Sequence, residues 1–273
     1  MKALLFGASS ICGYNLAINY PDLIPFIPPN KSPQNNWQQL ELESTSWIRS
    51  IIAKYQPSHI IYCHAVCDVE QCETNPAWAQ EINVAHIERM LNELPQSVRF
   101  IYMSSDHVFG ADGSYTEDSL PCPISVYGKS RVAAETRVQE NRNSLVIRFG
   151  LPIGPSINGR SGHLDWLKYR ASQQLPMTII EDESRSAVYT NALCRLIMDY
   201  AESEICGIRH IAAPAINRVD LAKYLQKSYN LKCAFKYETR AMQKCPHLGK
   251  IELMTLYSDA LSNPFPTIFE AEK

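Results

Sequence analysis

The sequence lacks any long apolar run, and no stretch approaches the roughly 18 consecutive apolar residues that a bilayer-spanning segment needs. It also lacks a basic block: 26 Lys and Arg stand against 28 Asp and Glu, for a formal net charge of −2. These absences argue against a membrane partner and against nucleic acid as a partner. Repeats and low-complexity tails are missing too. We therefore expect one domain with a small appendage in these 273 residues.

No CxxC pair occurs among the nine cysteines, and their number is odd. The cluster Cys63, Cys67 and Cys72 has a spacing that matches no zinc pattern. A metal site there stays an alternative, but we favour buried free thiols in a reducing compartment and expect no metal. The apolar start of the chain ends at Gly7, too early for a signal peptide. We therefore expect a cytoplasmic protein.

A short apolar strand at residues 2–6 runs directly into a turn of small residues, GASSICG, and then into a helix. The spacing Gly7-x-x-Ser10-x-x-Gly13 has a serine where a dinucleotide-binding turn has its middle glycine. Gly7 permits the tight turn, and Gly13 lets the helix pack closely on the sheet. The amides at the helix N-terminus can then meet a pyrophosphate. An ordinary tight turn between a strand and a helix is the alternative.

The end of the second predicted strand, residues 23–27, lacks the Asp or Glu that an NAD-preferring site places there. Pro25 is expected to interrupt this strand, and the stretch PPN precedes Lys31. Lys31 would attract a 2′-phosphate, which favours NADP over NAD. A solvated loop lysine is the alternative interpretation.

Residues 104–135 carry the chemistry around which the chain is organised. A predicted buried strand, Phe100–Met103, ends just before Ser105, where open α/β sheets bind their ligands. Tyr127 and Arg131 lie four residues apart in a predicted helix, so both side chains share one face. A hydroxyl, a phenol and a cation meeting at one point make an acid catalyst with a polarising group. A capping serine and a packed aromatic are the structural alternatives.

Strands alternate with helices over residues 1–150, which predicts an α/β fold with a Rossmann-type, doubly wound parallel sheet. We assign these residues to an NAD(P)-binding domain. Residues 151–273 are expected to form mainly a small C-terminal substrate-binding lobe, with some elements returning to the Rossmann core. The main predicted elements are strands at 2–6, 23–27, 59–63, 99–103, 145–149, 177–180 and 207–213, and helices at 44–55, at 78–94 and from 126 onward.

Together these stretches resemble the extended short-chain dehydrogenase/reductases, and within them dTDP-4-dehydrorhamnose reductase and its relatives. The resemblance rests on GxxSxxG, SSDHVFG…YTEDSLPCPISVYGKSRVAAE, VIRFG and VEQCETNPAWAQEINVAHIERM, and it covers nearly the whole chain. It implies a ketone reductase that uses NADP, with NAD as the other option. The implied substrate is a 4-keto-deoxysugar nucleotide. The resemblance leaves a homodimer open.

The resemblance also implies a role for each matching residue. Ser105 and Tyr127 fall on the family's catalytic Ser or Thr and Tyr, and Asn83 falls on an asparagine that supports the active site. The residues implied on the cofactor side are Gly7, Ser9, Ser10, Ile11, Gly13, Lys31, Glu41, Ala65 and Asn83.

Arg131 is the departure that matters most, because the family has a lysine there. That lysine lowers the tyrosine pKa and binds the nicotinamide ribose. Arg131 keeps the charge and is expected to lower the pKa of Tyr127, but its planar fork is no simple replacement for an ammonium. Lys129 is two residues from Tyr127 and so points elsewhere on the helix. We therefore count Arg131 among the catalytic residues.

The substrate side is assigned less directly. His107 replaces the family's usual tyrosine, and Arg185 lies in a stretch that resembles the family's substrate-lobe motif, so both are expected near the substrate. Because the lysine and one glycine are missing, a second hypothesis stays open. It is a non-catalytic, cofactor-binding regulatory subunit similar to the beta subunit of methionine adenosyltransferase. Sugar-nucleotide epimerase or dehydratase chemistry is a third.

Overall fold

A computed structural model describes residues 1–31 and 36–271 of the chain. Seven of its strands form at the apolar runs that were predicted as strands, and the bounds of these seven agree with the predicted ones to within three residues. The strands are β1 Ala3–Phe6, β2 Ile24–Ile27, β3 Gln38–Gln39, β4 His59–Tyr62, β5 Arg99–Met103, β6 Gly113–Tyr115, β7 Ser144–Arg148, β8 Leu151–Ile153, β9 Met177–Ile180, β10 Ser184–Tyr189, β11 Gly207–His210, β12 Ala215–Asn217, β13 Phe235–Glu238 and β14 Lys250–Leu253.

Helices begin at small polar residues that satisfy their free amides. Ser10, Ser44 and Ser125 each accept a hydrogen bond from the amide three residues on, which is the usual N-cap arrangement. The helices are α1 Ile11–Asn19, α2 Thr45–Tyr55, α3 Val69–Thr74, α4 Pro76–Gln80, α5 His86–Glu93, α6 Val126–Gln139, α7 Gly162–Ser172, α8 Thr190–Glu202 and α9 Arg218–Ser228.

A parallel sheet forms the centre of the fold, in the order β3-β2-β1-β4-β5-β7-β11 among the described residues. Successive strand residues point to opposite faces, so the sheet has two cores. Leu5 and Ile61 pack with α1 and α8 on one face. Leu4 and Ile60 pack with α2, α5 and α6 on the other. This confirms the predicted doubly wound Rossmann-type α/β fold.

Pro25 does not interrupt the second strand, contrary to the sequence expectation. It pairs with Leu5 inside β2, and the next carbonyl, of Phe26, accepts the amides of Gly7 and Ala8. Alternate residues face opposite neighbours, so Pro25 faces away from β1. The neighbour on that side, β3, pairs with β2 only from Phe26 onward. The missing N–H of the proline therefore breaks no ladder bond between the described strands.

The helix predicted at 78–94 is a helical run from Pro76 to Glu93 that contains a π turn, Glu81–Ala85, between α4 and α5. Periodicity alone does not reveal such a turn, because it adds one residue to a pattern that otherwise continues. Asn83 lies inside it and is fully buried. Turns of this kind are found frequently at functional sites.

A second, smaller sheet has the order β12-β10-β14-β6, with β8 beside β10, and β9 pairs with β13. The two halves of the chain share these sheets: β6 comes from the first 150 residues, whereas β11 and α8 return to the Rossmann core. The strand predicted at 207–213 ends at His210. None of the helices described is long and apolar enough to cross a membrane.

Candidate active site

Predicted site residues gather at the carboxyl edge of the main sheet. Gly7 follows β1, Cys63 follows β4 and Ser105 lies two residues after β5, and these three strands are parallel neighbours. The strand order reverses between β1 and β4, and open α/β sheets bind their ligands in the crevice at such a point.

The turn after β1 has room only for glycine at both predicted positions. Gly7 has φ +87°, and a Cβ there would clash with the His64 amide nitrogen. A Cβ on Gly13 would clash with the Gly7 carbonyl oxygen. Ser9, Ser10 and Ile11 are partly exposed at the start of α1. The turn therefore fits a pyrophosphate, since it presents accessible backbone at a helix N-terminus.

Ser10 occupies the place of the middle glycine, and its side chain makes a hydrogen bond within the turn itself. Its Oγ accepts a hydrogen bond from the Gly13 amide over 3.0 Å, so it caps α1. The serine thereby satisfies one of the amides that a glycine would leave free for a phosphate.

Segments from the second half of the chain lie against the same helix. The Asn15 side-chain amide donates to the Pro155 carbonyl oxygen over 2.9 Å and accepts from the Thr190 hydroxyl over 2.9 Å. A Cβ on Gly162, which has φ +69°, would lie 2.7 Å from Ile11 Cδ1. The turn is thus flanked by the segment before α7 and by the start of α8.

Tyr127 and Arg131 meet as their spacing predicts. Arg131 Nε donates to the Tyr127 hydroxyl over 3.1 Å, and its Nη1 donates to the Tyr102 hydroxyl over 2.7 Å. The guanidinium carbon lies 5.3 Å from the centre of each ring. All three side chains are buried. The cation is thus held between two phenols, one on α6 and one on β5.

The expected fall in the pKa of Tyr127 is wrong for this arrangement. Burial raises the pKa of the phenol, and the opposing charge of Arg131 and the nearby Ser105 hydroxyl do not reverse that rise. An uncharged phenol is the form that a buried site favours. Burial likewise raises the pKa of Tyr102 well above its usual range.

Ser105 joins this pair from the end of β5. Its hydroxyl donates to Asp106 Oδ1 over 3.2 Å and accepts from the His107 amide over 3.2 Å. It is also close enough to Tyr127 to act toward a lower pKa of that phenol. Asp106 is fully buried and accepts two hydrogen bonds from Arg185, on β10. Arg185 thus lies at the site, but its guanidinium is bound to a protein carboxylate.

His107 lies next to the tyrosine. The His107 and Tyr127 ring centres are 5.1 Å apart in an edge-to-face arrangement. Burial, helped by the charge of Arg185, lowers the pKa of His107 to about 3, so the imidazole is neutral near pH 7. Its Nδ1 is buried and has no partner among the described residues.

Asn83 holds the loop after β4 against α6. Its Oδ1 accepts from the Val66 amide over 2.8 Å, and its Nδ2 donates to the Val66 carbonyl oxygen and to Ser130 Oγ over 3.0 and 2.9 Å. Ser130 Oγ in turn donates to the Tyr127 carbonyl oxygen over 2.7 Å. Asn83 therefore supports the loop that holds the partly exposed Ala65. All of its hydrogen bonds described here are with protein groups.

Two predicted cofactor residues lie on neighbouring loops. Lys31 follows β2 and Glu41 follows β3, and both side chains are exposed. Within residues 1–31 and 36–271, no three His, Cys, Asp or Glu side chains are placed to hold a metal ion. Cys63, Cys67 and Cys72 are free thiols.

The sequence reasoning missed Tyr102 and did not assign Asp106 a role. Tyr102 stands in an otherwise apolar strand, and a phenol there needs a hydrogen-bond partner for its hydroxyl. That requirement was the available signal. Asp106 is a fully buried carboxylate directly after Ser105, but nothing near it in sequence points to its partner, which lies 79 residues away.

Curated relatives match this chain over part of their length. A probable low-salt glycan biosynthesis reductase of Haloferax volcanii is 23% identical over 183 residues, which are 64% of this chain and 60% of that protein. The methionine adenosyltransferase 2 subunit beta of Rattus norvegicus is 33% identical over 121 residues, 43% of this chain and 36% of that protein. The chain thus spans less than two thirds of the length of either relative.

Solved structures match nearly the whole chain. A dTDP-4-dehydrorhamnose reductase of Bacillus anthracis, in complex with NADP, has a TM-score of 0.83 at 20% identity and covers 98% of this chain and 96% of its own. A hypothetical dTDP-4-dehydrorhamnose reductase of Sulfolobus tokodaii has a TM-score of 0.78 at 25% identity, with 92% of each chain covered.

Residues 1–246 match the family described as the RmlD substrate binding domain. That match covers most of the chain, and it includes the turn from Gly7 to Gly13, the Ser105 loop and the start of α6. It also agrees with the resemblance that the motifs indicated. The chain belongs to the RmlD substrate binding domain family.

Proposed function

We propose that this protein is an NADP-dependent reductase whose substrate is the ketone of a 4-keto-deoxysugar nucleotide. The observation that carries the proposal is the hydrogen bond from Arg131 Nε to the Tyr127 hydroxyl, made beside the loop after β5 that holds Ser105 and His107. The named activities of the Haloferax, Bacillus and Sulfolobus relatives support it.

The cofactor side of the proposal rests on the turn from Gly7 to Gly13. The accessible backbone of Ser9, Ser10 and Ile11 would hold the pyrophosphate, and Ala65 would line the cofactor ribose. Exposed Lys31 would meet a 2′-phosphate, and Glu41 would lie near the adenine. The NADP bound to the Bacillus reductase supports this choice, with NAD as the second option. Bound NADPH would supply the hydride to the carbonyl carbon.

The protein's own groups would manage the proton. Tyr127, kept protonated by burial, would donate to the oxygen as negative charge develops on it. The phenolate left behind would be stabilised by Arg131 Nε, 3.1 Å away in the resting state. Ser105 would hydrogen-bond the same oxygen, and a preorganised donor of this kind contributes roughly 3–4 kcal/mol. Neutral His107, with its free Nδ1, would contact the sugar.

The first experiment is a titration of the purified protein with NADPH and with NADH, followed by fluorescence and by thermal shift. We expect NADPH to bind more tightly and to raise the melting temperature more. A panel of keto-sugar nucleotides would follow, with Tyr127→Phe as the inactive control and Tyr237→Phe, an exposed tyrosine, as the matched one. If neither cofactor stabilises the fold, the reductase proposal fails.

A second candidate function is a cofactor-binding regulatory subunit. It is favoured by the 33% identity to the methionine adenosyltransferase 2 subunit beta and by Arg131 in place of the family lysine. This candidate predicts that the protein binds NADPH, reduces no ketone in the panel, and changes the kinetics of a methionine adenosyltransferase catalytic subunit when added to it. Turnover of any ketone that is lost in Tyr127→Phe would exclude it.

The remaining sequence predictions are proposals as well. We propose that residues 151–273 mainly form the substrate side, because the first residue of α7, Gly162, lies against Ile11 at the turn from Gly7 to Gly13. A cytoplasmic location is supported by the free state of all nine cysteines. Cell fractionation tests the location, and light scattering tests the proposed homodimer.

A further inference from the structure

A second arginine lies near Arg185, and unlike Arg185 it has no carboxylate of its own. We propose that Arg218, the first residue of α9, binds the anionic diphosphate of the substrate and so selects substrates that carry one. This inference rests on the proposed function. It deepens that proposal by naming the residue that recognises the charged part of the nucleotide.

The two arginines share the nearby carboxylates unequally. Arg185 Nε donates to Asp106 Oδ2 over 2.8 Å, and its Nη2 donates to Oδ1 over 2.5 Å. Glu183 Oε1 lies 3.7 Å from Arg185 Nη1 and 3.8 Å from Arg218 Nη1, too far for a hydrogen bond to either. The other oxygen of Glu183 is 3.3 Å from His247 Nδ1. Arg185 thus has a two-pronged partner, whereas Arg218 has only a share in a more distant charge.

Most donors of Arg218 are unused by the protein. Among the described residues, its guanidinium makes one hydrogen bond, from Nη1 to His163 Nε2 over 3.5 Å. A guanidinium carries five N–H donors, and the side chain is 19% exposed, so a ligand can reach the others. Burial lowers the pKa of Arg218 although Glu183 acts in the other direction. The protein therefore compensates this charge only in part, and a bound anion would complete the compensation.

His163 adds a second donor beside the guanidinium. Burial, helped by the charges of Arg218 and Arg185, keeps the pKa of His163 well below its usual value, so the imidazole is neutral near pH 7. Because an arginine only donates, His163 Nε2 accepts and the ring proton is on Nδ1. His163 and Arg218 line one hollow between α7 and α9, together with Trp166 and Leu221. Its lining is mainly apolar with a single cation, which fits a ligand that joins an apolar part to an anion.

The hollow adjoins the candidate active site on two sides. Gly162, at the start of α7, lies against Ile11 in the turn after β1. On the other side, Arg218 and Arg185 share one carboxylate, and Arg185 holds Asp106 in the loop after β5. A nucleotide sugar carries its diphosphate directly on the sugar ring, so its ketone and its anion must bind close together. Arg218 lies where that anion would be when the ketone is at the catalytic loop.

The test is a binding titration that needs no turnover. Protein saturated with NADPH is titrated by calorimetry with dTDP, and with thymidine as the same nucleoside without phosphates. We expect the wild type to bind dTDP more tightly than thymidine. In Arg218→Gln the affinity for dTDP should fall roughly tenfold to a hundredfold, the scale of a hydrogen bond to a charged group. The affinity for thymidine should not change.

Two further variants serve as controls. Arg240→Gln removes an exposed arginine that pairs with Asp182, and it should bind dTDP as the wild type does. Arg218→Lys keeps the charge but loses the planar fork, so we expect it to bind dTDP several-fold more weakly than the wild type. If Arg218→Gln fails to fold, the lysine variant decides, and wild-type affinity in that variant would overturn the inference.

Wild-type affinity for dTDP in Arg218→Gln overturns the inference, and so does equal binding of dTDP and thymidine by the wild type. If Arg218→Gln weakens the binding of NADPH and leaves that of dTDP unchanged, the inference is also wrong, because Arg218 would then bind a cofactor phosphate.

The proposed function is judged separately. If dTDP binds through Arg218 but no ketone is reduced, the anion site stands and the reductase proposal fails. If a keto-sugar nucleotide is reduced, Arg218→Gln should raise its KM and leave the KM for NADPH unchanged. An unchanged KM for the nucleotide would keep the reductase proposal and overturn the role of Arg218.

Discussion

Arg131 binds two buried phenols at once. A lysine has one ammonium, whereas the guanidinium sends Nε to Tyr127 and Nη1 to Tyr102. The spacing of Tyr127 and Arg131 predicts the first contact. The second depends on a strand 29 residues earlier, and a single sequence does not reveal that pairing.

Replacing Arg131 by lysine should therefore leave one buried hydroxyl without a partner. We expect Arg131→Lys to lower the free energy of unfolding by about 1–3 kcal/mol, the cost of an unsatisfied buried polar group. In a Tyr102→Phe background the same substitution should cost less, because no Tyr102 hydroxyl remains. Urea denaturation of the wild type, the two single variants and the double variant measures the coupling energy between Arg131 and Tyr102. Equal costs in both backgrounds would contradict the shared-cation arrangement.

At the scale of elements, the sequence predicts the β1–turn–α1 unit well, because strand, glycines and helix follow one another within a few residues. It does not reveal what Ser10 does. Only the structure shows that the hydroxyl occupies the Gly13 amide and so uses a donor of the candidate phosphate site.

Ser10→Gly tests whether the cap that Ser10 provides for α1 lowers the affinity for the cofactor. A glycine cap costs only a few tenths of a kcal/mol, and it would free the Gly13 amide for a phosphate. We expect NADPH to bind several-fold more tightly, as measured by fluorescence titration. Ser44→Gly removes the equivalent cap of α2 and is the matched control, since Ser44 accepts from Trp47 in another helix. The prediction is wrong if both variants bind NADPH as the wild type does.

A buried ion pair fixes α6 on β7. Arg148 donates to both oxygens of Glu135, and Ser104 Oγ donates to Glu135 Oε1 over 2.5 Å. Both charged side chains are 2% exposed. A single sequence does not reveal this pair, because the two residues lie in different elements.

Glu135→Gln would leave the Arg148 charge buried and unpaired. We expect the free energy of unfolding to fall by about 3–5 kcal/mol, as is usual when one partner of a buried pair is removed. Arg49→Gln breaks an exposed pair with Glu93 and should change stability far less, because solvent screens it. Chemical denaturation of the two variants side by side measures the loss of stability in each. Similar losses would show that burial is not what gives the Glu135 pair its importance.

For the whole molecule, the buried histidines set the response to acid. Burial lowers the pKa of His64 and of His107 to about 3 and that of His210 to about 4. The unfolded chain binds these protons near pH 6.5, as unperturbed histidines do. Between pH 6.5 and about pH 4, the unfolded state therefore binds more protons than the folded state does. Stability is therefore complete above about pH 6.5 and is lost as the pH falls toward 4.

We expect the free energy of unfolding to fall by up to roughly 1.4 kcal/mol per pH unit for each of these histidines. Glu183 adds to the loss further down: the hydrogen bond from His247 and the charges of Arg218 and Arg185 outweigh burial and lower its pKa to about 2. Denaturation midpoints from pH 7 to pH 4 measure the slope, and His64→Asn should reduce it by about one proton. A flat profile over that range would contradict the prediction.

Six strands of the main sheet were predictable because they are short apolar runs that alternate with helices, whereas β3, Gln38–Gln39, is polar and was not predicted. The buried polar pairs were not, since Asp106 with Arg185 and Glu135 with Arg148 join residues 79 and 13 positions apart. Periodicity describes which face a residue occupies, but it does not say which charge lies opposite. For the candidate site, the sequence predicts the positions of the groups better than their partners.

The π turn at Glu81–Ala85 changes the phase of the helix that contains it. One extra residue rotates everything downstream by about 100° relative to a regular helix. Asn83 can thus face Ser130 on α6 while Ile87 and Met90, beyond the turn, still face the core beneath α5. If the helix were one residue shorter at this turn, it would lose either the contact of Asn83 with Ser130 or the packing of Ile87 and Met90 in the core. The number of residues in this turn is therefore constrained, as well as their identity.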